Sequence, residues 1–136
     1  MYCVIDSSFT ASLFLPDEQS ERSDKVAERL AKDGATAPAL WQFEIANLLL
    51  MAVRRKRLTA AHRSKILAGM DALPIVLQSV LTPKQRDAVM HPAEKHSLTA
   101  YDAAYLELAI RVGLPLATLD ASLSRAAKLE GVEVVP

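Results

Sequence analysis

Three features of the sequence predict an α/β fold in which a parallel sheet lies between layers of helices. Short apolar runs at residues 2–5, 73–77, 116–118 and 132–135 have the length and continuity of strands buried on both faces. Helical segments separate these runs, so each strand would return to its neighbours by a right-handed crossover. The 136 residues suit one domain, 1–136, large enough to bury roughly two thirds of its unfolded surface. The expected architecture is therefore a three-layer α/β/α domain with a central parallel sheet of four or five strands.

Taken in order, the first strand ends at Asp6, after which Ser7 or Ser8 offers a helix cap. A helix over 9–15 stops before Pro16. A charged helix over 20–32, with Val26 and Leu30 inward, is closed by Gly34 as a C-terminal cap. Residues 35–37 are assigned to a strand by their place between helices more than by composition. From 39 to about 57 the chain is apolar nearly all round, the mark of a mostly buried helix. Between Gln42 and Arg54 only Glu44 and Asn47 are polar, and at a spacing of three they share a face. Leu40, Leu48 and Met51 flank that face. Glu44 is thus expected to point into the interior or a cleft, where it needs a partner.

Thr59 caps a shorter helix over 59–68, and 73–77 reads as a strand despite Pro74. Pro83 opens a helix over 84–90 that Pro92 is expected to interrupt or bend. The remaining elements are a helix over 101–112 capped by Gly113, a strand over 116–118, a helix over 121–129 and, past Gly131, a final strand over 132–135. There is no internal repeat, linker or low-complexity segment.

Composition narrows the function. Lys plus Arg and Asp plus Glu each number 16, so no overall charge excess announces a nucleic acid or membrane partner. Pooling four acids at a cation site would leave 12 acids against 16 bases elsewhere, so a polyanionic partner stays compatible with zero net charge. The single cysteine, Cys3, lies in an apolar run and reads as a small core hydrophobe in a reducing compartment. With no long apolar span or basic leader, the expectation is a soluble cytoplasmic protein without membrane contact. Four glycines are too few and too scattered for a phosphate-wrapping loop. The histidines His62, His91 and His96 have no metal-pair spacing and read as surface residues. Ser7 and Ser8 lack the flanking glycines of a nucleophile elbow. The basic run Arg54, Arg55, Lys56, Arg57 suits either a solvated helix end or phosphate contact. Aromatics are too sparse to argue for base stacking.

Four acids stand out by position: Asp6 after the first strand, Glu44 on the apolar helix, Asp102 at a helix start and Asp120 after a late strand. Asp6 and Asp120 each have a structural reading as helix caps, and Thr99 with Asp102 resembles a capping box. No capping role calls for Glu44. Three of the four fall where strands end or helices begin on one rim of a parallel sheet. Carboxylates gathered there repel one another and persist if protons or cations neutralise them. An oxygen-only site suits a hard divalent ion such as Mg2+ or Mn2+. Such an ion could activate water for attack on a phosphodiester, with no protein nucleophile.

The segments VIDSS at 4–8, WQFEIANLL around Glu44, LTAYDAAYLELA around Asp102 and LATLDASLSRAAKLEGV around Asp120 resemble those of the PIN-domain ribonucleases, in particular the VapC-type toxins of toxin–antitoxin pairs. The likeness runs over essentially the whole chain. It implies a PIN-like domain acting as a type II toxin: an Mg2+- or Mn2+-dependent endoribonuclease, usually dimeric, inhibited by a cognate antitoxin. It also implies that Asp6, Glu44, Asp102 and Asp120 form the metal-binding catalytic site, with Ser7 or Thr118 assisting through their hydroxyls. Many members carry a further acid two residues after the last one, where this chain has Ser122. The competing reading is a catalytically silent, PIN-like cation- or partner-binding module. A phosphorylated receiver domain would need an acid pair after the first strand and a lysine after a late strand, and neither is evident.

Overall fold

The computed structural model describes residues 1–79 and 81–135. Its elements are β1 (Cys3–Ile5), α1 (Ser7–Phe14), α2 (Glu21–Asp33), β2 (Ala35–Pro38), α3 (Trp41–Arg54), α4 (Ala60–Asp71), β3 (Ile75–Gln78), α5 (Pro83–His96), α6 (Ala100–Val112), β4 (Leu116–Ala117) and α7 (Ala121–Leu129). The strands form one parallel sheet in the order β3-β2-β1-β4. The chain moves one way from β1 through β2 to β3, then returns to lay β4 on the other side of β1. Right-handed crossovers then place α1–α4 on one face and α5–α7 on the other. The helix contacts divide in the same way, α1 with α2 and α3, α3 with α4, and α5 with α6 and α7. The topological switch point thus falls between β1 and β4, whose carboxyl ends open a crevice.

Most elements follow from local chemistry. Ser20 and Thr82 cap α2 and α5 in reciprocal boxes, with Ser23 and Gln85 answering three residues on. Thr59, as expected, caps α4. Gly34 ends α2 at φ +72° and ψ 175°, a conformation essentially reserved for glycine. A Cβ there would stand 2.8 Å from the Pro74 carbonyl oxygen. Gly34→Ala is therefore expected to destabilise the fold by about 2 kcal/mol or more, read as a lower melting temperature in circular dichroism.

The core fills the space around β1, whose Cys3, Val4 and Ile5 are fully buried, and continues through Leu30, Leu49, Tyr105, Leu106, Leu108, Leu116 and Leu123. Burial pushes the Cys3 thiol up to about 12, in keeping with an unreactive core side chain. Among the described residues no helix is long and apolar enough to cross a membrane.

Four expectations change. Pro92 does not interrupt α5, which runs on to His96. The buried side of α5, with Val89 and Pro92, lies along Ala103 and Ala104 of α6, and tertiary packing overrides the local cost of the proline. Residues 132–135 form no full strand: Val134 makes a single parallel bridge to Leu116, because β4 is only two residues long. Helix α3 is less buried than its apolar surface suggested. It packs on α1 and α4 through Trp41, Ile45, Leu49 and Ala52, leaving Phe43 82% and Leu50 41% exposed. The His96 side chain is buried, its Nε2 lying 2.7 Å from Glu130 Oε1.

Candidate active site

The crevice at the switch point is built around Asp6. This residue follows β1 and caps α1, accepting 2.8 Å hydrogen bonds at Oδ1 from the Phe9 N–H and the Ser8 hydroxyl. Its other oxygen accepts from the Thr118 hydroxyl, just past β4. Thr118 in turn accepts from the Asp120 N–H at 3.0 Å, and Ser8 accepts from the Leu119 N–H at 3.1 Å. Two hydroxyls therefore stitch the β1–α1 turn to the β4–α7 turn. Asp6 is only 4% exposed.

Asp102 lies in the first turn of α6, half-buried, with its N–H given to the N-cap Thr99 hydroxyl. Glu44, in the first turn of α3 and also half-buried, receives the hydroxyl of the buried Tyr105. Asp120 is exposed and caps α7, its Oδ1 accepting from the Leu123 N–H at 2.7 Å. Asp6, Glu44 and Asp120 thus sit at helix starts that directly follow β1, β2 and β4, while Asp102 opens α6 after α5 and before β4.

Their charges are coupled. Burial chiefly raises the Asp6 carboxyl above its ordinary range, against its three hydrogen-bond donors, and the Asp102 charge raises it further. Burial likewise raises Glu44, with Tyr105 opposing and Asp102 and Asp6 adding repulsion. Asp102 is raised by burial first and then by Asp120, with Thr99 opposing. Asp102 is the shared neighbour of the set.

The acids share a field without yet forming a cage. Among the described residues, no three Asp, Glu, His or Cys side chains are grouped closely enough to hold a metal ion as they stand. Each outer acid is held by its own hydrogen bond, Asp120 by the Leu123 N–H of α7 and Glu44 by the Tyr105 hydroxyl. In donor chemistry the set nonetheless fits a hard divalent cation, being all oxygen, anionic and mutually repelling.

The sign of the coupling gives a testable consequence. A carboxyl raised in the folded state favours folding at low pH and loses that contribution as pH rises through its folded value. As pH rises the cation-free chain therefore bears increasing repulsion among Asp6, Glu44 and Asp102. Asp17 and Glu130 are held low, by Arg57 and by His96 and Lys95, and lose their contributions as pH falls from the ordinary carboxylate range through their lowered values. Mg2+ is accordingly expected to raise the melting temperature more at about pH 7.5 than at about pH 5. Differential scanning fluorimetry at the two pH values measures this.

Other sequence-predicted residues are placed less centrally. Ser7, the first residue of α1, makes no side-chain hydrogen bond to the acids among the described residues. Ser8 takes that part, so Asp6 itself, with neither serine, caps the helix. Asn47 faces solvent while Glu44 does not. The basic run sits at the far end of α3, roughly 15 Å along the helix from Glu44. Arg57 within it is engaged by Asp17 and Glu18, at 2.9 and 3.1 Å. Tyr105 and Ser8 carried no distinguishing signal: one lies in an unbroken apolar run, the other beside an equally plausible serine.

Comparison with known proteins agrees with this geometry. The family model for the PIN domain matches residues 3–129. Ribonuclease VapC3 of Pyrobaculum aerophilum is 32% identical over 124 residues, covering 91% of this chain and 93% of its own. Ribonuclease VapC3 of Mycobacterium tuberculosis is 31% identical over 126 residues, covering 90% and 85%. Among solved structures, PAE2754 from Pyrobaculum aerophilum superposes with a TM-score of 0.66 at 24% identity, covering 93% of this chain and 86% of that one. FitAcB from Neisseria gonorrhoeae gives 0.63 at 17%, covering 98% and 96%. These two likenesses speak to the fold.

Proposed function

The chain belongs to the PIN-domain family, and from that premise we propose that it is an endoribonuclease, the toxin of a type II toxin–antitoxin pair, dependent on Mg2+ or Mn2+. The observation that carries this reading is the placement of Asp6, Glu44, Asp102 and Asp120 in the caps or first turns of four helices, with the Asp6 and Asp120 turns joined through Thr118 and Ser8. Asp6, Glu44, Asp102 and Asp120 are the residues that would hold the cation. When bound, the cation supplies a water activated for in-line attack on a phosphodiester and offsets charge on the phosphate oxygens.

The chain's own part is positional. Thr118 and Ser8 fix both oxygens of Asp6, so this carboxylate is held in one orientation. Asp102, in the first turn of α6, has no basic side chain paired to it among the described residues, so its charge remains available. The substrate is RNA, and a cognate antitoxin protein is the expected inhibitor, by analogy with the VapC relatives. A homodimer is supported by the apolar side chains that α3 leaves uncovered, Phe43 and Leu50. A cytoplasmic setting is supported by the lone, buried, reduced Cys3.

The test is incubation of the purified, antitoxin-free chain with total RNA, with Mg2+ or with a chelator. Discrete cleavage products in Mg2+ and none in chelator are expected. Thermal stabilisation by Mg2+ without cleavage would instead identify a silent cation-binding module.

A further inference from the structure

We propose that Tyr105 is a positioning residue for the cation site, holding the Glu44 carboxylate toward Asp102 through its phenolic hydroxyl. The inference rests on reading Asp6, Glu44, Asp102 and Asp120 as cation ligands.

Asp6 has three donors around it, and Asp120 is tied to the Leu123 N–H. Glu44 has one hydrogen-bond partner among the described residues, and it is Tyr105. The bond joins α3 to α6, helices assigned to opposite faces of the sheet, and is the one side-chain hydrogen bond between those two helices among the described residues. Tyr105 lies three residues after Asp102, on the same side of α6. Whatever fixes Tyr105 therefore fixes Glu44 relative to Asp102.

Tyr105 is itself immobile, 1% exposed and packed in the main core. A rigid ring anchored there restrains a glutamate that otherwise keeps three rotors. The chemistry of the partner also matters. Lys or Arg would orient Glu44 but would cancel its charge and compete with a cation. A neutral phenol donates a hydrogen bond and leaves the negative charge in place.

Tyr105→Phe removes the hydroxyl and retains the ring. Its test is a Mn2+ titration followed by the melting temperature, in parent and variant. The metal-free melting temperature is expected to change little. The Mn2+ concentration giving half the maximal stabilisation is expected to rise about 10- to 100-fold, the usual effect of losing a partner of a ligand. RNA cleavage should fall at limiting Mn2+ and recover at saturating Mn2+. Glu44→Gln keeps an acceptor for the phenol but loses the charge, and its effect on Mn2+ affinity should not add to that of Tyr105→Phe.

An unchanged Mn2+ midpoint in Tyr105→Phe, or fully additive effects of the two substitutions, would overturn the inference. A Tyr105→Phe chain that no longer folds would do so too, since the bond would then serve the fold. If the parent itself shows no saturable Mn2+ effect, the cation reading fails with it. A parent that binds while the variant binds equally well removes the role of Tyr105 alone.

Discussion

The Asp6→Asn, Asp102→Asn double variant is expected to lose RNA cleavage while keeping its fold. An amide at position 6 still offers a carbonyl oxygen to the Phe9 N–H, so the α1 cap survives. The Thr118 and Ser8 hydroxyls can each turn to accept from or donate to the amide. Removing both charges also removes the repulsion that adds to burial in raising Glu44. Melting close to that of the parent should follow. Activity should fall at least about a thousandfold, because a bound cation contributes several kcal/mol of charge stabilisation and each 1.36 kcal/mol is tenfold in rate. Cleavage of total RNA, scored beside circular dichroism of the same preparations, measures both halves. Parent-like cleavage would remove Asp6 and Asp102 from the catalytic site.

Thr118→Val should produce the largest loss of stability for so small a change. The two side chains are nearly the same size, and position 118 is only 4% exposed, so packing is preserved. What disappears is a donor to Asp6 Oδ2 and an acceptor for the Asp120 N–H. Stranding two such groups costs about 2 to 3 kcal/mol, or about 10 °C of melting temperature for a chain of this size. Thr118→Ser, which retains the hydroxyl, should recover most of it. Mn2+ affinity should fall in the valine variant as well, since Asp6 loses half of its orientation. Equal melting of the valine and serine variants would show that the hydroxyl does not hold the two turns together.

The legible part of the fold was its punctuation. Thr59 read as a cap, Pro83 as a helix opener, Gly34 and Gly113 as terminators, and the buried runs at 2–5 and 116–118 as strands, because each signal acts over three or four residues. Where the chain departed from expectation, a distant partner decided. Pro92 is carried through α5 by packing along α6. The pairing at 132–135 is short because its neighbour β4 is short. The exposure of Phe43 and Leu50 depends on which side of α3 the rest of the chain covers.

The acids were legible by position, since strand ends and helix starts can be placed from the sequence. Asp102 proved to be the neighbour common to the other three, whereas Asp120 spends one oxygen on α7 and lies exposed. Capping and cation binding were posed as rival readings of Asp6. The structure shows the capping, and a carboxylate oxygen with one N–H and one hydroxyl donor still has electron density to offer a cation. The role of Tyr105, and that of Ser8 beyond a possible cap, escaped notice because their bonds to Glu44 and Leu119 cross more than sixty residues of chain.

The central claim is that these carboxylates act together as one divalent-cation site, and calorimetric titration of Mn2+ into the metal-free chain tests it most directly. Saturable binding by the parent, with loss of that binding in the Asp6→Asn, Asp102→Asn variant, is the predicted result. Equal binding by the two proteins, or none by the parent at neutral pH, would contradict it.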